Sequence, residues 1–343
     1  MKIAIYGAGS VGTIMGAYFA KSGREVDLIS NDAAHIAALK SAGAHITGTV
    51  DFTIKVKAML PNEMKEKYNL IFLATKQLDN TNVVKGLVSF LEKDGIICTV
   101  QNGLPELSVA EVIGEDRTFG CAIAWGATLL KPGVCELTSD PSSITFNIGT
   151  FGKDTSGKLK IIADVLSLMG GVEIEENFIG ARWVKLLVNS TFSGLSAVFG
   201  TIYAGVVDNK KSRLCAQRIM KECIDVADAA SIKIEPIQGK DVVKLLNYKG
   251  RIKQKISFMI IPLAIKKHRM LKASMLQDIE KGIPCEIDAI NGVVSTYGRK
   301  VNVPTPFNDK VVEIVKKIEE GVCRPSWDNL PMFDELMKQP ASR

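Results

Sequence analysis

The feature that most constrains the fold stands at the N-terminus, in the stretch KIAIYGAGSVG. Residues 2–6 form a short apolar run typical of a β-strand, and Gly7, Gly9 and Gly12 follow it directly. A helical pattern comes next, and residues 25–30 (EVDLIS) indicate a second strand. A strand, a GxGxxG turn, a helix and a strand in this order predict a dinucleotide-binding βαβ unit.

Each glycine of this turn has its own expected task. Gly7 allows the tight turn, Gly9 lets the main chain approach a pyrophosphate, and Gly12 lets the helix pack closely on the strand. The N–H groups at the start of the helix would then hold the phosphates. We expect the cofactor to contact the whole turn, which comprises Gly7, Ala8, Gly9, Ser10, Val11 and Gly12.

The end of the second strand normally separates NAD from NADP binding. An acid there bonds the ribose 2′-hydroxyl, whereas an arginine accepts a 2′-phosphate. The residues here are Ser30, Asn31 and Asp32. Asp32 has the spacing of a ribose ligand, but it also suits the cap of a helix that begins near Ala33. Both interpretations and both cofactors stay open on this pattern.

Two further apolar runs, residues 69–75 and 95–100, indicate strands with a helical segment between them. This alternation predicts a mostly parallel, doubly wound sheet. The loops after these strands would lie on the cofactor edge of the sheet, and they carry Lys76 and Asn102.

The next segments, residues 120–139 and 142–150, have the pattern of antiparallel strands with a turn at Pro132-Gly133. We expect them to extend or close the same sheet.

Helical periodicity dominates the second half of the chain. We expect a dinucleotide-binding domain over residues 1–176 and a helical substrate-binding domain over residues 177–343. The helical patterns cover residues 180–200, 210–230, 240–281, 285–299 and 308–320.

Two helical segments carry polar residues of interest. Lys185, Asn189 and Ser193 have the spacing of a single helix face, which is either solvated or the wall of a cleft. Glu286 lies in the first turn of a later helix, after the break at Pro284. Taken alone, its carboxylate simply complements the helix dipole.

Composition narrows the function classes. The net charge is +6, which falls short of a dedicated nucleic-acid binder. Seven cysteines without a CxxC pair favour a reduced, cytoplasmic protein. The three histidines lack metal-ligand spacing, so we expect no metal site. The apolar run at 256–265 is too short to span a membrane, and we expect neither a membrane nor a nucleic-acid partner.

Residues 249–272 hold eight Lys or Arg and no acid. This segment is typical of an amphipathic helix with a solvated basic face. The alternative is a basic rim that attracts phosphate or carboxylate ligands.

Over nearly its whole length the chain resembles the ketopantoate reductases (2-dehydropantoate 2-reductases). The resemblance implies a Rossmann-type α/β domain followed by an all-α domain of the 6-phosphogluconate dehydrogenase C-terminal type, with the substrate in the cleft between them. It also implies reduction of 2-dehydropantoate to pantoate with NADPH, on the route to pantothenate and coenzyme A. It rests on GAGSVG, TKQ near 76, QNG near 102, RWVKLLVN at 182–189 and SMLQDIEKGIPCEIDAINGVV at 274–294.

The resemblance also implies residue roles. Lys185 matches the catalytic lysine, and Glu286 matches a glutamate that helps to hold the substrate hydroxyl and the nicotinamide end. Asn102 matches an asparagine near nicotinamide and substrate, and Lys76 a lysine near the adenosine end. The other implied contacts come from Asn31, Gly126 and Ala127 to the cofactor, and from Asn189, Ser193 and Ser274 to the substrate.

Two departures from the family pattern keep alternatives open. Ser193 stands where family members often have an asparagine, so a reductase or dehydrogenase for another 2-keto or hydroxy acid is an alternative. Asn31 stands where some members carry an arginine for the 2′-phosphate, so NAD(H) is an alternative to NADP(H). A non-catalytic NADP(H)-binding regulator is a third alternative, and we consider a homodimer as an assembly state.

Overall fold

Two compact units make up the structure, which is a computed structural model. Contacts between residues divide the chain into Met1–Phe178 and Ile179–Arg343. The first unit is α/β, and the described part of the second contains only helices and turns. The Rossmann-type α/β unit and the helical unit that follows it confirm the predicted fold class. The structure describes residues 1–152, 154, 156–236 and 242–339.

The first unit alternates strands with helices. Its strands are β1 (Ile3–Tyr6), β2 (Asp27–Ile29), β3 (Ala44–Gly48), β4 (Phe52–Ile54), β5 (Lys57–Met59), β6 (Tyr68–Leu73), β7 (Leu91–Thr99), β8 (Thr118–Ile123), β9 (Ala127–Lys131), β10 (Val134–Leu137), β11 (Thr145–Gly149) and β12 (Gly171–Ile174). Its helices are α1 (Ser10–Lys21), α2 (Ala33–Ala42), α3 (Asn80–Leu87), α4 (Pro105–Ile113) and α5 (Lys158–Leu166).

Eight strands form the main sheet, in the order β12-β11-β8-β7-β6-β1-β2-β5. Strand β1 runs parallel to both of its neighbours, β2 and β6. Its residues Ile3, Ala4 and Ile5 are buried, as expected for a central strand covered on both faces. Strands β2 and β5 lie on one side of β1, and β6 and β7 lie on the other. The strand order therefore reverses at β1, and its carboxyl end is the switch point where α/β sheets bind ligands. The predicted parallel sheet is confirmed.

A second, four-stranded sheet has the order β4-β3-β10-β9. The predicted antiparallel pair around Pro132-Gly133 is confirmed as β9 and β10. The expectation that this hairpin would extend the main sheet is wrong, because β10 pairs in parallel with β3 instead. Strands β8 and β11, from the same predicted region, do join the main sheet, where they pair with each other antiparallel.

Helix α1 packs against strands of both sheets. A chain of hydrogen bonds fixes it there through His35, which is fully buried on α2. The His35 Nε2 atom lies 2.9 Å from the Thr13 hydroxyl, and its Nδ1 accepts the Gly133 N–H at 3.0 Å. One imidazole thus joins α1, α2 and the turn of the β9–β10 hairpin.

The second unit is a bundle of helices around a buried aromatic and aliphatic core. A π-helical turn, Asn189–Ser193, connects the first two helices. The Trp183 indole is fully buried and donates to the Cys223 carbonyl at 3.0 Å. The helices are α6 (Phe178–Val188), α7 (Gly194–Phe199), α8 (Tyr203–Asp208), α9 (Lys210–Ala229), α10 (Val242–Leu246), α11 (Arg251–Ala264), α12 (Ser274–Glu280), α13 (Ile287–Lys300), α14 (Pro306–Glu319) and α15 (Asp334–Lys338).

The helical pattern at 240–281 is broken where we expected continuity. Its described part contains three helices, α10, α11 and α12, and residues 240 and 241 lie outside the described residues. Gly250 separates the first two with a φ of +83°, which helix interiors do not accept. Pro262 stands in the last turn of α11, where its missing N–H helps to end the helix.

Candidate active site

The glycine turn has the geometry that a dinucleotide cradle requires. Gly7 has a φ of +110°, and a Cβ there would overlap the backbone of Ala74 and Thr75. A Cβ on Gly12 would overlap the Gly7 carbonyl oxygen. Gly9 differs, because a Cβ there would meet no atom within 4 Å. Gly7 and Gly12 therefore serve the fold, whereas Gly9 faces open space where a ligand can approach.

The turn is pinned to the neighbouring strand. The N–H groups of Gly7 and Ala8 both donate to the Ile29 carbonyl, at 2.9 and 2.8 Å. Helix α1 then begins at Ser10 with no side-chain cap. The first N–H groups of a helix have no partner within it, so those of Ser10, Val11 and Gly12 suit an anion such as a pyrophosphate.

At the end of β2, Asp32 caps the helix that follows. Its carboxylate accepts the His35 N–H at 3.0 Å, so Asp32 is the N-cap of α2. The Ser30 hydroxyl accepts the Asp32 N–H at 3.2 Å. Asn31 is exposed between them. The residue with the spacing of a ribose ligand therefore caps a helix, and Asn31 and Asp32 are both exposed.

The loops after β6 and β7 meet at the carboxyl edge of the sheet. The Gln77 side chain donates to the Asn102 carbonyl. The Gln101 amide nitrogen donates to the Thr75 carbonyl and to the Asn80 side chain, both at 2.8 Å. Asn102 is half-buried on this shared loop surface.

Lys76 is exposed in the first of these loops. Sequence patterns indicated Lys76 and Asn102 but missed the three amides Gln77, Asn80 and Gln101 that fasten the two loops together. The available signal was a glutamine next to each candidate, in TKQ and QNG.

Ala127 lies elsewhere in the first unit, as the first residue of β9, opposite Leu137 on β10. The N–H of the preceding Gly126 donates to the Ser139 hydroxyl at 2.9 Å. This residue pair belongs to the second sheet rather than to the loops around Lys76 and Asn102.

In the second unit, Lys185 and Asn189 are half-buried one helical turn apart. The helical pattern predicted over 180–200 is present, but it contains a π-helical turn that begins at Asn189 and that the sequence did not predict. The hydroxyls of Ser190 and Thr191 both reach the Leu187 carbonyl, at 3.4 and 2.8 Å, as the backbone bonds rearrange. Such turns are rare and are frequent at functional sites.

Ser193 does not share the exposure of Lys185 and Asn189. It is 6% exposed, and its hydroxyl lies 3.0 Å from the Tyr203 hydroxyl. The Tyr203 ring also packs on Phe192, with ring centroids 5.2 Å apart. Burial raises the pKa of Tyr203 above its usual value, so this phenol stays protonated. The Ser193 hydroxyl is committed to this internal pair.

The remaining candidates stand at helix starts. Glu286 is half-buried and occupies the N-cap position of α13, where the N–H groups of Ala289 and Ile290 bond its carbonyl at 3.1 Å. Its side chain makes no capping hydrogen bond. Ser274 is exposed as the first residue of α12.

Comparisons with known proteins extend over both units. The family model described as "Ketopantoate reductase PanE/ApbA" matches residues 3–150, and its C-terminal counterpart matches residues 177–319. The 2-dehydropantoate 2-reductase of Pyrococcus horikoshii is 30% identical over 326 residues, which cover 93% of this chain and 98% of that protein. The chain belongs to the ketopantoate reductase family. It is therefore an oxidoreductase.

Other relatives of this ketopantoate reductase family member agree. The 2-dehydropantoate 2-reductase of Lactococcus lactis is 29% identical, with 93% of this chain and 98% of that protein covered. A solved D-mandelate dehydrogenase with NADH and anilino(oxo)acetate is 25% identical, with a TM-score of 0.79 and coverage of 94% and 99%. The 2-dehydropantoate 2-reductase structure from Geobacter metallireducens shares the fold, with a TM-score of 0.77, 24% identity and coverage of 92% and 99%.

Across the described ranges, no group of three or more His, Cys, Asp or Glu side chains could hold a metal ion. In the same part of the chain, no helix is both long and apolar enough to cross a membrane. All seven cysteines are free thiols.

Proposed function

We propose that this protein reduces 2-dehydropantoate to pantoate with NADPH, in pantothenate and coenzyme A biosynthesis. The observation that carries the proposal is the family match across both units, combined with an open glycine turn at the switch point of the sheet. In this proposal residues 1–176 bind the cofactor and residues 177–343 supply the substrate-binding and catalytic residues.

The chemistry needs a hydride donor, a proton donor and a substrate clamp. When bound, the cofactor supplies a hydride to the keto carbon. Lys185 polarises the carbonyl through its ammonium group and then gives a proton to the oxygen, which becomes the hydroxyl of the product. Glu286 accepts a hydrogen bond from the substrate hydroxyl. This division of labour explains how a hydride-transfer enzyme works with only three histidines.

The other side chains have positioning roles in the proposal. Asn102 contacts nicotinamide and substrate, while Asn189 and Ser274 bind the keto acid. Lys76 and Asn31 contact the adenosine half of the cofactor. Ser193 differs from this group, since its bond to Tyr203 supports a role in shaping the pocket wall.

The decisive experiment is steady-state reduction of 2-dehydropantoate by wild type, Lys185→Ala and Lys185→Arg. General-acid assistance is worth about 10²–10⁴-fold, so we expect kcat to fall by that factor in the alanine variant. Arginine keeps the charge but cannot donate its proton, so it should rescue little. Lys300→Ala, an exposed lysine on α13, is the matched control. An alanine variant within threefold of wild type would remove Lys185 from this role.

The buried Ser193–Tyr203 pair favours a second candidate substrate, another 2-keto acid. The likeness to D-mandelate dehydrogenase, solved with NADH, points to the same class of reaction. A panel of branched and aromatic 2-keto acids, each with NADPH and NADH, separates the candidates. Turnover of another acid with none for 2-dehydropantoate would replace the first proposal, and tight cofactor binding without any turnover would favour a regulator.

We also propose that the protein works in the cytoplasm as a homodimer. Helix α11 supports the dimer, because four large apolar side chains form a solvent-facing stripe along it. Monomeric proteins rarely leave such a stripe uncovered. A second copy of the chain would cover it, with the neighbouring basic groups at the rim. The stripe comprises Ile252, Ile256, Met259 and Leu263, which are 78%, 41%, 62% and 70% exposed.

A further inference from the structure

Four buried polar residues connect separate elements of the second unit. Glu222 lies on α9, Asn308 on α14, Asn291 on α13 and Ser190 in the π-helical turn. Glu222 is 7% exposed and the other three are fully buried. Buried polar groups are kept in a core only where hydrogen bonds compensate their lost hydration. The bonds among these four residues therefore decide what the group does.

Hydrogen bonds fix the orientation of each amide in this group. Asn291 donates to the Ser190 carbonyl at 2.8 Å and to the Asn308 side-chain oxygen at 2.9 Å. Asn308 donates in turn to a Glu222 carboxyl oxygen at 2.8 Å. Glu222 also accepts the backbone N–H groups of Phe307 and Asn308, at 2.8 and 3.0 Å. Because the chain ends on a carboxyl group, neither amide can rotate without losing bonds.

Two details show that the donors of Asn291 set its orientation. Its amide oxygen has no hydrogen-bond partner within the described residues. A Cβ on Gly194 would lie 2.6 Å from that oxygen, so the missing side chain gives α13 room to approach. Burial also raises the pKa of Glu222 to about 8, although the N–H groups that the carboxyl accepts from Phe307 and Asn308 favour its charged form.

Asn291 connects two candidate site residues, one through its side chain and the other through its backbone. Its side chain holds the carbonyl of Ser190, the residue that follows Asn189 in the π-helical turn. Its backbone belongs to α13, whose N-cap is Glu286. A π-helical turn has i→i+5 hydrogen bonds in place of the i→i+4 bonds of an α-helix. Its conformation therefore depends on tertiary contacts such as the hydrogen bond from Asn291 to the Ser190 carbonyl.

We propose that Asn291, oriented by Asn308 and Glu222, is a positioning residue that holds Asn189 at a fixed distance from Glu286. The proposal rests on the proposed function, since it gives the two residues a shared substrate. Asn291 touches neither substrate nor cofactor in this scheme, and acts through the backbone of the π-helical turn.

The first test is hydrogen–deuterium exchange of the ligand-free protein. Asn291→Leu keeps the side-chain volume and removes both donors. We expect faster exchange of the amides in residues 187–194. The matched control is Asn329→Leu, because Asn329 is also a buried amide that donates to two carbonyls, those of Val198 and Arg324, at 2.9 Å. The control should leave residues 187–194 unchanged. Equal exchange of this segment in wild type and Asn291→Leu would overturn the proposal.

The second test separates kcat from KM. A misplacement of about 1 Å can cost roughly a hundredfold in rate, so we expect kcat of Asn291→Leu to fall at least about tenfold. The Kd for NADPH should stay within about twofold of wild type, because the glycine turn is unaltered. A kcat within twofold of Asn329→Leu would contradict the positioning role, since both variants lose a buried amide.

A third variant, Glu222→Gln, leaves Asn291 in place and covers the case in which Asn291→Leu does not fold. It keeps the shape of the side chain but replaces one carboxyl oxygen, which accepts N–H groups, with an amide NH2 group, which only donates. Faster exchange at 187–194 is expected, and unchanged exchange would overturn the proposal. Hydrogen–deuterium exchange needs no substrate, so it tests the support of residues 187–194 independently of activity. A wild-type protein that reduces no keto acid would contradict the proposed function without changing the exchange result.

Discussion

At the scale of single residues, Gly9 and Gly12 have different roles although they lie only three positions apart. A methyl group on Gly12 would overlap the carbonyl oxygen of Gly7, whereas a methyl group on Gly9 would meet open space. The motif predicts a separate task for each glycine, and the structure likewise separates Gly7 and Gly12, which build the turn, from Gly9, which leaves room for a ligand.

We therefore expect Gly9→Ala and Gly12→Ala to fail in different assays. Gly12→Ala should lower the melting temperature, because the overlap forces the helix away from the strand. Gly9→Ala should keep the wild-type melting temperature but raise the Kd for NADPH by about tenfold, or ~1.4 kcal/mol. Thermal melts and cofactor titration by fluorescence distinguish the two. A Gly9→Ala protein with wild-type affinity would mean that the cofactor does not approach at this position.

Asn31 offers a second test at this scale. The side chain is exposed next to the helix cap Asp32, so Asn31→Arg should fold normally. An arginine at this strand end accepts a 2′-phosphate. We expect the ratio of kcat/KM with NADPH to that with NADH to rise by about tenfold. An unchanged ratio would show that the 2′-phosphate lies away from this residue. Ala229→Arg, at an exposed position in the last turn of α9 in the second unit, serves as the charge-matched control.

At the scale of elements, the sequence predicted those features that local rules determine. The turn after β1, helix α1 and the parallel sheet around β1 follow from glycine conformation and apolar runs. The hairpin β9–β10 was foreseen as a hairpin, but its sheet was not, because pairing with β3 joins residues almost ninety positions apart. The π-helical turn was also missed, because an apolar repeat predicts a helix without showing where its hydrogen bonds change from the α to the π pattern.

The contacts of His35 between elements predict that the stability of the fold depends on pH. The imidazole accepts the Gly133 N–H, so it must be neutral at Nδ1. Burial lowers its pKa below the usual 6.5. The unfolded chain therefore binds a proton that the folded one refuses, and stability should fall as the pH drops below about 6.5.

Thermal melts between pH 5 and 8 measure this effect. We expect wild type to lose stability toward pH 5, and His35→Gln to be less stable at pH 7.5 but flatter across the range. His268→Gln, an exposed histidine, is the control and should follow wild type. A His35→Gln curve parallel to that of wild type would assign the pH dependence to other groups.

At the scale of the whole molecule, helix α11 has a buried side and an apolar stripe that faces solvent. Ser257 and Ile261 are buried within the second unit, while the stripe of Ile252, Ile256, Met259 and Leu263 faces solvent. The eight basic residues between 249 and 272 had indicated a solvated basic face, and exposed Lys253 and Lys255 belong to it. Sequence periodicity could not show which apolar residues would be left uncovered.

The expected assembly is testable by light scattering after size-exclusion chromatography. Wild type should elute with twice the 37.2 kDa chain mass, and Met259→Glu should shift toward one chain mass. Leu130→Glu places the same charge on an exposed leucine of β9 and should leave the mass unchanged. Wild type with a single chain mass at micromolar concentration would contradict the dimer. Added salt should strengthen the assembly, because it screens the basic rim.

Helix α1 lies against two sheets, and the turn before it is fastened to β2 by two N–H groups. Such a turn has almost no freedom left to lose when a ligand arrives. The glycine turn is thus a preformed binding surface, and the oxidised and reduced forms of a cofactor would meet the same surface. Discrimination between them, and the timing of their exchange during turnover, must then come from the nicotinamide end rather than from the phosphates.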